Sequence, residues 1–459
     1  MFDNIKKINQ NRNILLRRAL WVIVPFLLAV LVLDKVSLTI ILGILAIYFI
    51  FVFAKDKIWY LLVLAILSLV FGKILYIPIT NTWIYEARFA EVFLGLVLII
   101  FILDIFLNDK LINLRFDKIS FWLLIFLIAS LGSVYLATDF RLFVFALKTV
   151  VFSFLAYFLA LNLLDDKKKI FYFLYSLAIT GIVLSAQIFW KFYQMGFSAD
   201  FFFNRSNILI PIGPIATTAA ILTFLAPILL AFYFQLNDLN KWKLFVFLGF
   251  FMSFLAVVLT LGKGAIISLF FGLFIVFCAH KQKRIAYILF FMWFVALLYF
   301  GFQPYFAGLF ERFQITLVDV NTEFRLKEYR LSWSLIEDHP LFGVGVGQQL
   351  YYYKKILNQE QGNFVNNFIL QTVIDLGVVG LFLMLFIIKN IIKKIKDVWR
   401  ARVEKSILVI GFIAAFAAAF LNGMVEVTIY ALPYAIVFWL TLGVFVNVTE
   451  NEKSKIEII

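Results

Sequence analysis

Between Tyr305 and Gly380 the chain has its only long polar interruption, and the residues there suit the handling of an anion beside a hydroxyl. Arg312, Arg325 and Arg330 carry planar guanidinium groups that stay charged and meet phosphate oxygens two at a time. Further on, Asn363, Asn367, Gln371 and Asp375 recur every four residues with Asn366 beside them. That spacing places a polar stripe on one face of a helix. Polar groups at membrane depth must face the bundle or a wet cavity. Helix–helix hydrogen bonding is one use of such a stripe. A stripe that opens directly off an arginine-bearing loop favours a binding site.

Two elements must position these groups. Residues 324–338 read as a helix, capped by Asn321 or Thr322 and stopped by Pro340. Leu331, Leu335 and Ile336, with Trp333 nearby, give it an apolar side. Arg325 and Arg330 do not share one narrow stripe, so one can face a ligand while the other faces protein. His339 is the single histidine beside these groups and a candidate proton acceptor. Pro340 ties it to the turn, where an imidazolium suits the negative end of the helix dipole, and that placement is preferred. Gly343-Val344-Gly345-Val346-Gly347 has the wrong spacing for a dinucleotide fingerprint and follows no strand. It reads as a tight turn or close backbone packing, ahead of a second reading as backbone N–H groups turned toward an anion. Tyr351, Tyr352 and Tyr353 read as an interfacial aromatic belt.

The rest of the chain reads as scaffold. At 459 residues with 64% hydrophobic and only 15% charged, it has too little polar surface for a soluble protein. Alternating ten-residue strands are absent, which argues against a barrel. Apolar spans lie near 18–33, 37–54, 58–80, 88–107, 119–138, 142–164, 170–195, 212–234, 244–261, 265–279, 285–304, 364–388, 407–425 and 427–448. The fold class expected is an all-α polytopic membrane protein of about 12–14 transmembrane helices, with one large outer loop, 305–363, carrying short helices. Three segments are expected: N-terminal helices 1–204, a core 205–385, and C-terminal helices with a tail, 386–459. The N-terminal apolar run is not expected to be a cleavable signal. One cysteine, Cys278, and two histidines exclude an internal disulfide and a Cys- or His-rich metal site. No cofactor is expected.

Orientation follows from lysine and arginine asymmetry. With the N-terminus inside, every second loop is also basic, and 27 of the 41 basic residues fall on that side. They need no further role than topology and contact with lipid headgroups. The other 14 fall in outer loops or outer halves of spans, among them Lys148, Arg205, Lys263, Arg312, Arg325 and Arg330. Snorkelling explains single lysines, but a set of outward cations near the membrane asks for an anionic partner. A lipid pyrophosphate entering from the outer leaflet supplies one. Acids at mid-membrane are scarce, Asp375 excepted, which counts against proton-coupled transport. No nucleic-acid partner is expected.

At these residues the sequence resembles the O-antigen ligase and O-antigen polymerase superfamily (WaaL-like and Wzy-like membrane glycosyltransferases). Arg330-x-x-Trp333 precedes Pro340-Leu341-Phe342-Gly343-Val344-Gly345, as in the family's Pro-Leu-x-Gly-x-Gly turn. Asn366-Asn367-Phe368-Ile369-Leu370-Gln371 stands where the family has a His-Asn-x-x-Leu helix start, followed by Gly377-Val378-Val379-Gly380. Leu259-Thr260-Leu261-Gly262-Lys263-Gly264 is similar to the family's Thr-x-Ser-Arg-Gly start, with lysine for arginine. Arg205 sits before Gly213-Pro214, as does a family arginine. The resemblance implies a metal-independent glycosyltransferase of the bacterial inner membrane, with its active site facing the periplasm. The donor would be a saccharide on undecaprenyl pyrophosphate, and the acceptor a glycan or the lipid A-core. Arg330, Asn366, Asn367 and His339 would be catalytic residues. Arg205, Lys263, Arg312, Arg325, Lys148, Gln371 and Asp375 would hold pyrophosphate or sugar. Asparagine at 366, where ligases have a histidine proposed as base, favours the polymerase over the ligase. A lipid-linked oligosaccharide flippase is the rival of another class, disfavoured by the single dominant loop and the absence of repeated halves.

Overall fold

A computed structural model describes residues 58–80, 83–108, 114–196, 208–237, 241–280, 288, 291, 320–357, 364–400 and 406–457. The expected spans 18–33, 37–54 and 285–304 lie outside the described residues. The chain forms two compact units, 1–58 with 99–111, and 59–98 with 112–459. The first is described only at Ile58 and in the second half of one helix. Everything below concerns the second.

Thirteen helices are described: α1 (Trp59–Ser68), α2 (Phe89–Asn108), α3 (Lys118–Gly132), α4 (Phe140–Leu163), α5 (Lys167–Gln194), α6 (Ile215–Gln235), α7 (Lys243–Leu259), α8 (Lys263–Ala279), α9 (Val320–Asp338), α10 (Gln349–Leu357), α11 (Phe368–Arg400), α12 (Ile407–Gly423) and α13 (Leu432–Glu457). Seven of them, α2–α6, α11 and α13, are long and apolar enough to cross a membrane; α1, α7, α8 and α12 are shorter apolar helices. The protein is thus an all-helical, multi-pass membrane protein; most spans lie within a few residues of the hydropathy reading, but α11 runs to Arg400 rather than 388 and α13 covers Leu432–Glu457 rather than 427–448. Backbone hydrogen bonds must close within a segment in lipid, and a helix does this.

The run 58–80 departs from expectation. It makes α1, a short 3₁₀ turn, and then β1 (Lys73–Thr80), paired antiparallel with β2 (Trp83–Arg88). Gly72, at φ 76°, ends the helix, and the β-branched and aromatic residues beyond it (Ile74, Tyr76, Ile77, Ile79, Thr80) suit a strand. A second, very short hairpin joins Leu209–Ile210 to Gly213–Pro214.

Two helices form the centre. Nearly every residue of α6 is buried, and every residue of α13 from Leu432 to Thr449. Around them, α6 packs on α7 and α12, α13 on α4, α8 on α12, and α3 on α11. Close approach uses small residues, as membrane packing requires: Gly411 lies against Ala231, and Gly443 against Ala160. One face of the bundle is pinned by polar contacts. Asn447 donates to the carbonyls of Ala160, Leu161 and Leu164 at 3.0–3.1 Å, satisfying the open end of α4. Arg115 bonds Asn447 and Glu450, and Lys394 bonds Glu450 at 2.8 Å. At the opposite face, the helix ends near residues 133–140, 340–368 and 422–430 meet, and the candidate site lies there.

Candidate active site

The site is built on a broken helix. α11 does not run unbroken from Phe368, because Gly377 holds φ 62°, ψ −154°, outside helical geometry. A helix interrupted at membrane depth must have its freed backbone groups satisfied by protein. The 340–347 segment does this. Val378 and Val379 N–H groups donate to the carbonyls of Pro340 and Leu341, at 2.9 and 3.3 Å. In the other direction Val344 and Gly345 donate to the carbonyls of Ile374 and Asp375, at 2.8 and 3.1 Å. The glycine run is therefore close backbone packing. Its valines alternate, Val344 entering a cluster with Leu335, Tyr353, Val365 and Ile374, and Val346 one with Phe143, Ala146 and Leu376. Gln348 completes the joint by exchanging two hydrogen bonds with the backbone of Asp139, at 2.8 and 2.9 Å.

The polar stripe is only partly helical. Asn366 and Asn367 precede α11, and Asn363 lies outside the described residues. Asn367 caps the helix: its Oδ1 accepts from the N–H groups of Ile369 and Leu370 at 3.0 Å, and its Nδ2 donates to the Met424 carbonyl at 3.2 Å. Gln371 is buried and bridges, accepting from Val365 N–H at 2.9 Å and donating to Asp375 Oδ1 at 3.0 Å. Asp375 Oδ1 also accepts from Gly347 N–H at 3.2 Å, while its Oδ2 is buried without a hydrogen bond. Thr372 and the Tyr430 hydroxyl are 2.7 Å apart.

Beside this stripe, α9 presents one buried face. Glu328 and Ser332 are fully buried, while Arg330 and Trp333 are exposed and Arg325 is half-buried. Asn366 Nδ2 donates to Glu328 Oε2 at 3.2 Å, and the Tyr329 hydroxyl donates to the Asn366 carbonyl at 3.4 Å. Tyr353 turns inward, its hydroxyl donating to the Glu328 carbonyl at 2.8 Å, so it is not a belt residue. Glu328 Oε1 is buried without a hydrogen bond. Burial pushes the carboxyl up to about 7, against the Asn366 hydrogen bond and the attraction of Arg325, which both favour the charged form. Glu328 was not among the residues singled out by type and spacing. The signal was available: Glu328, Ser332 and Leu335 follow the i, i+4, i+7 rule of a buried face.

The other expected residues fall as follows. His339 is exposed at the end of α9, its N–H bonded to the Leu335 carbonyl at 3.1 Å. Lys148 is nearly buried on α4 and pairs with Glu91 at 3.1 Å, also donating to the Glu86 carbonyl at 2.9 Å. That pair lies on a different group of elements from the stripe and α9. Lys263 opens α8. Arg205 and Arg312 lie outside the described residues.

Below the stripe runs an apolar cavity of about 530 Å³, between α3, α4, α8, α11, α12 and α13. Its polar lining is Thr149, Ser153, Thr372, Thr428 and Tyr430, and its apolar lining includes Phe126, Met384, Ile388, Phe416, Phe420 and Phe438. Its lining residues on α11 lie on both sides of the break at Gly377, from Phe368 to Ile395.

The chain matches none of the curated proteins compared with it. Residues 248–385, from α7 through the break in α11, match the family model Wzy_C, described as O-Antigen ligase. That region contains α9, the glycine joint, Asn366 and Gln371–Asp375, so this multi-pass membrane protein carries the ligase domain of the Wzy_C O-antigen ligase/polymerase family, whose members transfer lipid-linked glycans in surface-polysaccharide assembly.

Proposed function

We propose that this protein moves a saccharide from undecaprenyl pyrophosphate to a sugar hydroxyl on the periplasmic side of the inner membrane, acting as an O-antigen polymerase. The observation that carries this is the apolar cavity beneath a polar site. A lipid-linked sugar needs a long greasy slot ending at groups that handle charge and hydroxyls, and the Thr372–Tyr430 pair joins the two. The polyprenyl chain is the occupant that this slot fits.

In this reading Arg330 and Arg325, with Arg205, Arg312 and Lys263, draw charge from the pyrophosphate as it leaves. No metal is needed for that step, because permanently charged guanidinium groups stabilise the departing phosphate. Lys148 stays in its pair with Glu91 unless an anion displaces the carboxylate. Asparagine rather than histidine at 366 is the reason for preferring polymerisation to ligation onto lipid A-core. The ligase remains the second reading, favoured by the description of the matching family.

The surface glycan of a deletion strain separates these readings. Single repeats on the lipid A-core are expected. Complete loss of attached O-antigen would make the protein a ligase, and cytoplasmic accumulation of lipid-linked repeats a flippase.

Sidedness has its own test. In a Cys278→Ser background, Tyr135→Cys (94% exposed) is expected to react with an impermeant thiol reagent in intact spheroplasts, and Lys168→Cys only after lysis. The reverse pattern would place the site in the cytoplasm.

A further inference from the structure

We infer that Glu328 accepts the proton of the attacking sugar hydroxyl, with Asn366 holding its carboxylate in place; this rests on the transferase reading above. The hydroxyl oxygen forms a bond to the anomeric carbon as that carbon's bond to the pyrophosphate oxygen breaks. The electron pair leaves on the polyprenyl pyrophosphate, and the hydroxyl proton passes to Glu328 Oε1 and later to water. A positioned base of this kind is worth about 10²–10⁴ in rate.

The geometry selects Glu328 from the groups near the stripe. Asn366 is an amide and takes no proton at neutral pH. His339 is exposed on the far side of the α9 terminus, its backbone locked between Leu335 and Gly343. Asp375 shows the same pattern, Oδ1 held by Gly347 and Gln371 and Oδ2 without a hydrogen bond, but it lies beneath the glycine joint inside a membrane-spanning helix. Glu328 stands outside the spans, with Oε2 oriented by Asn366 and Oε1 buried without a hydrogen bond. One oxygen is thus held in place and the other is unpaired, so Oε1 takes the proton once the acceptor hydroxyl displaces what covers it.

The groups facing it are few. Arg325 on the same helix attracts the carboxylate, and Tyr353 from α10 and Ser332 hold its backbone carbonyl. The Tyr329 hydroxyl holds the carbonyl of Asn366. Burial outweighs Arg325 and Asn366, so the carboxyl titrates near 7. Such a group is largely ionised just above neutrality while still basic enough to take a proton.

The test uses the purified full chain in proteoliposomes, with a polyprenyl-pyrophosphate-linked saccharide as donor. Wild-type donor consumption is measured first; its absence would sink the transferase reading and leave Glu328 aside as a separate matter. Given wild-type turnover, the rate is expected to rise with pH through about 7 and then level. Glu328→Gln preserves size and the contact with Asn366, and is expected to lower the rate roughly a hundredfold or more. It should also flatten the pH limb, leave donor retention unchanged, and regain part of its rate with added formate. Glu328→Asp keeps a carboxylate and is expected to retain the limb at a lower rate. A Glu328→Gln protein with the wild-type rate, or one slowed with the pH limb intact, overturns the proposal. So does loss of the limb in Asp375→Asn or His339→Gln alone.

Discussion

Gly377→Ala is expected to remove most folded protein from the membrane. The backbone there sits at φ 62°, ψ −154°, a region that side chains with a Cβ rarely enter, at a cost of about 1–3 kcal/mol. The added Cβ would also stand 2.4 Å from the carbonyl carbon and oxygen of Leu341 and 2.6 Å from the Phe342 nitrogen. Those are backbone atoms held by the Val378 and Val379 hydrogen bonds, so they cannot swing aside as a side-chain tip would. Overpacking adds about 1–3 kcal/mol more, a large share of a typical domain's stability. Gly343→Ala meets the mirror of this contact, 2.4 Å from the Ile374 carbonyl, and should behave alike. Gly95→Ala is the control, because nothing lies within 4 Å of its added Cβ and helix propensity favours alanine by about 0.5–1 kcal/mol. The measurement is the thermal midpoint and monodispersity in detergent. An unchanged midpoint for Gly377→Ala would mean that the joint between the turn and the broken helix does not hold the domain.

Arg330→Ala is expected to stop transfer while leaving the protein folded. Arg330 is exposed on α9, and its loss leaves no buried group without a partner. Exposed substitutions of this kind usually change stability by less than about 0.5 kcal/mol. The cost falls on the transition state, where charge grows on the departing pyrophosphate. Removing one such stabilising group costs on the order of 10²–10³ in turnover. Arg330→Lys should recover part of that, since a point charge does not reproduce the two-pronged guanidinium contact. The checks are single-turnover rate with purified donor and thermal midpoint on the same sample. A wild-type rate in Arg330→Ala would remove this residue from the site and leave Arg325 as the nearer cation.

The scaffold was legible for a simple reason. A lipid environment forces every backbone group to pair within its own segment, so long apolar runs become helices almost regardless of neighbours. Hence α2 to α8 and α12 lie close to the hydropathy pattern, while α11 and α13 run on into polar sequence, to Arg400 and Glu457. The run 58–80 fails because hydropathy measures greasiness and not backbone geometry; Gly72 and the β-branched and aromatic residues after it turn a span-length run into a helix and a hairpin strand. Helix α9 and its stop before Pro340 were also legible, through the missing proline donor, but its start was not: the helix begins at Val320, so Asn321 and Thr322 lie inside it rather than at its cap.

Sequence by itself determined the membrane class, most helix limits and the stretch from Arg325 to Asp375 as the place where polar groups gather. It favoured packing over anion binding for the glycine run, and the bonds from Val344 and Gly345 to the Ile374 and Asp375 carbonyls decided it. Only the tertiary structure decided what each polar group does. Spacing of four put Asn367, Gln371 and Asp375 on one stripe, yet Asn367 is spent on capping and Gln371 on bridging Val365 to Asp375. Glu328 sat among the charges of a polar helix, and its spacing from Ser332 and Leu335 marked the buried face without saying what would cover it. Its burial comes from Tyr353, Asn366 and Leu335, which lie up to 38 residues away in sequence. Burial is a property of contacts made across the chain, and a carboxyl group's proton affinity follows burial; no window of sequence contains either.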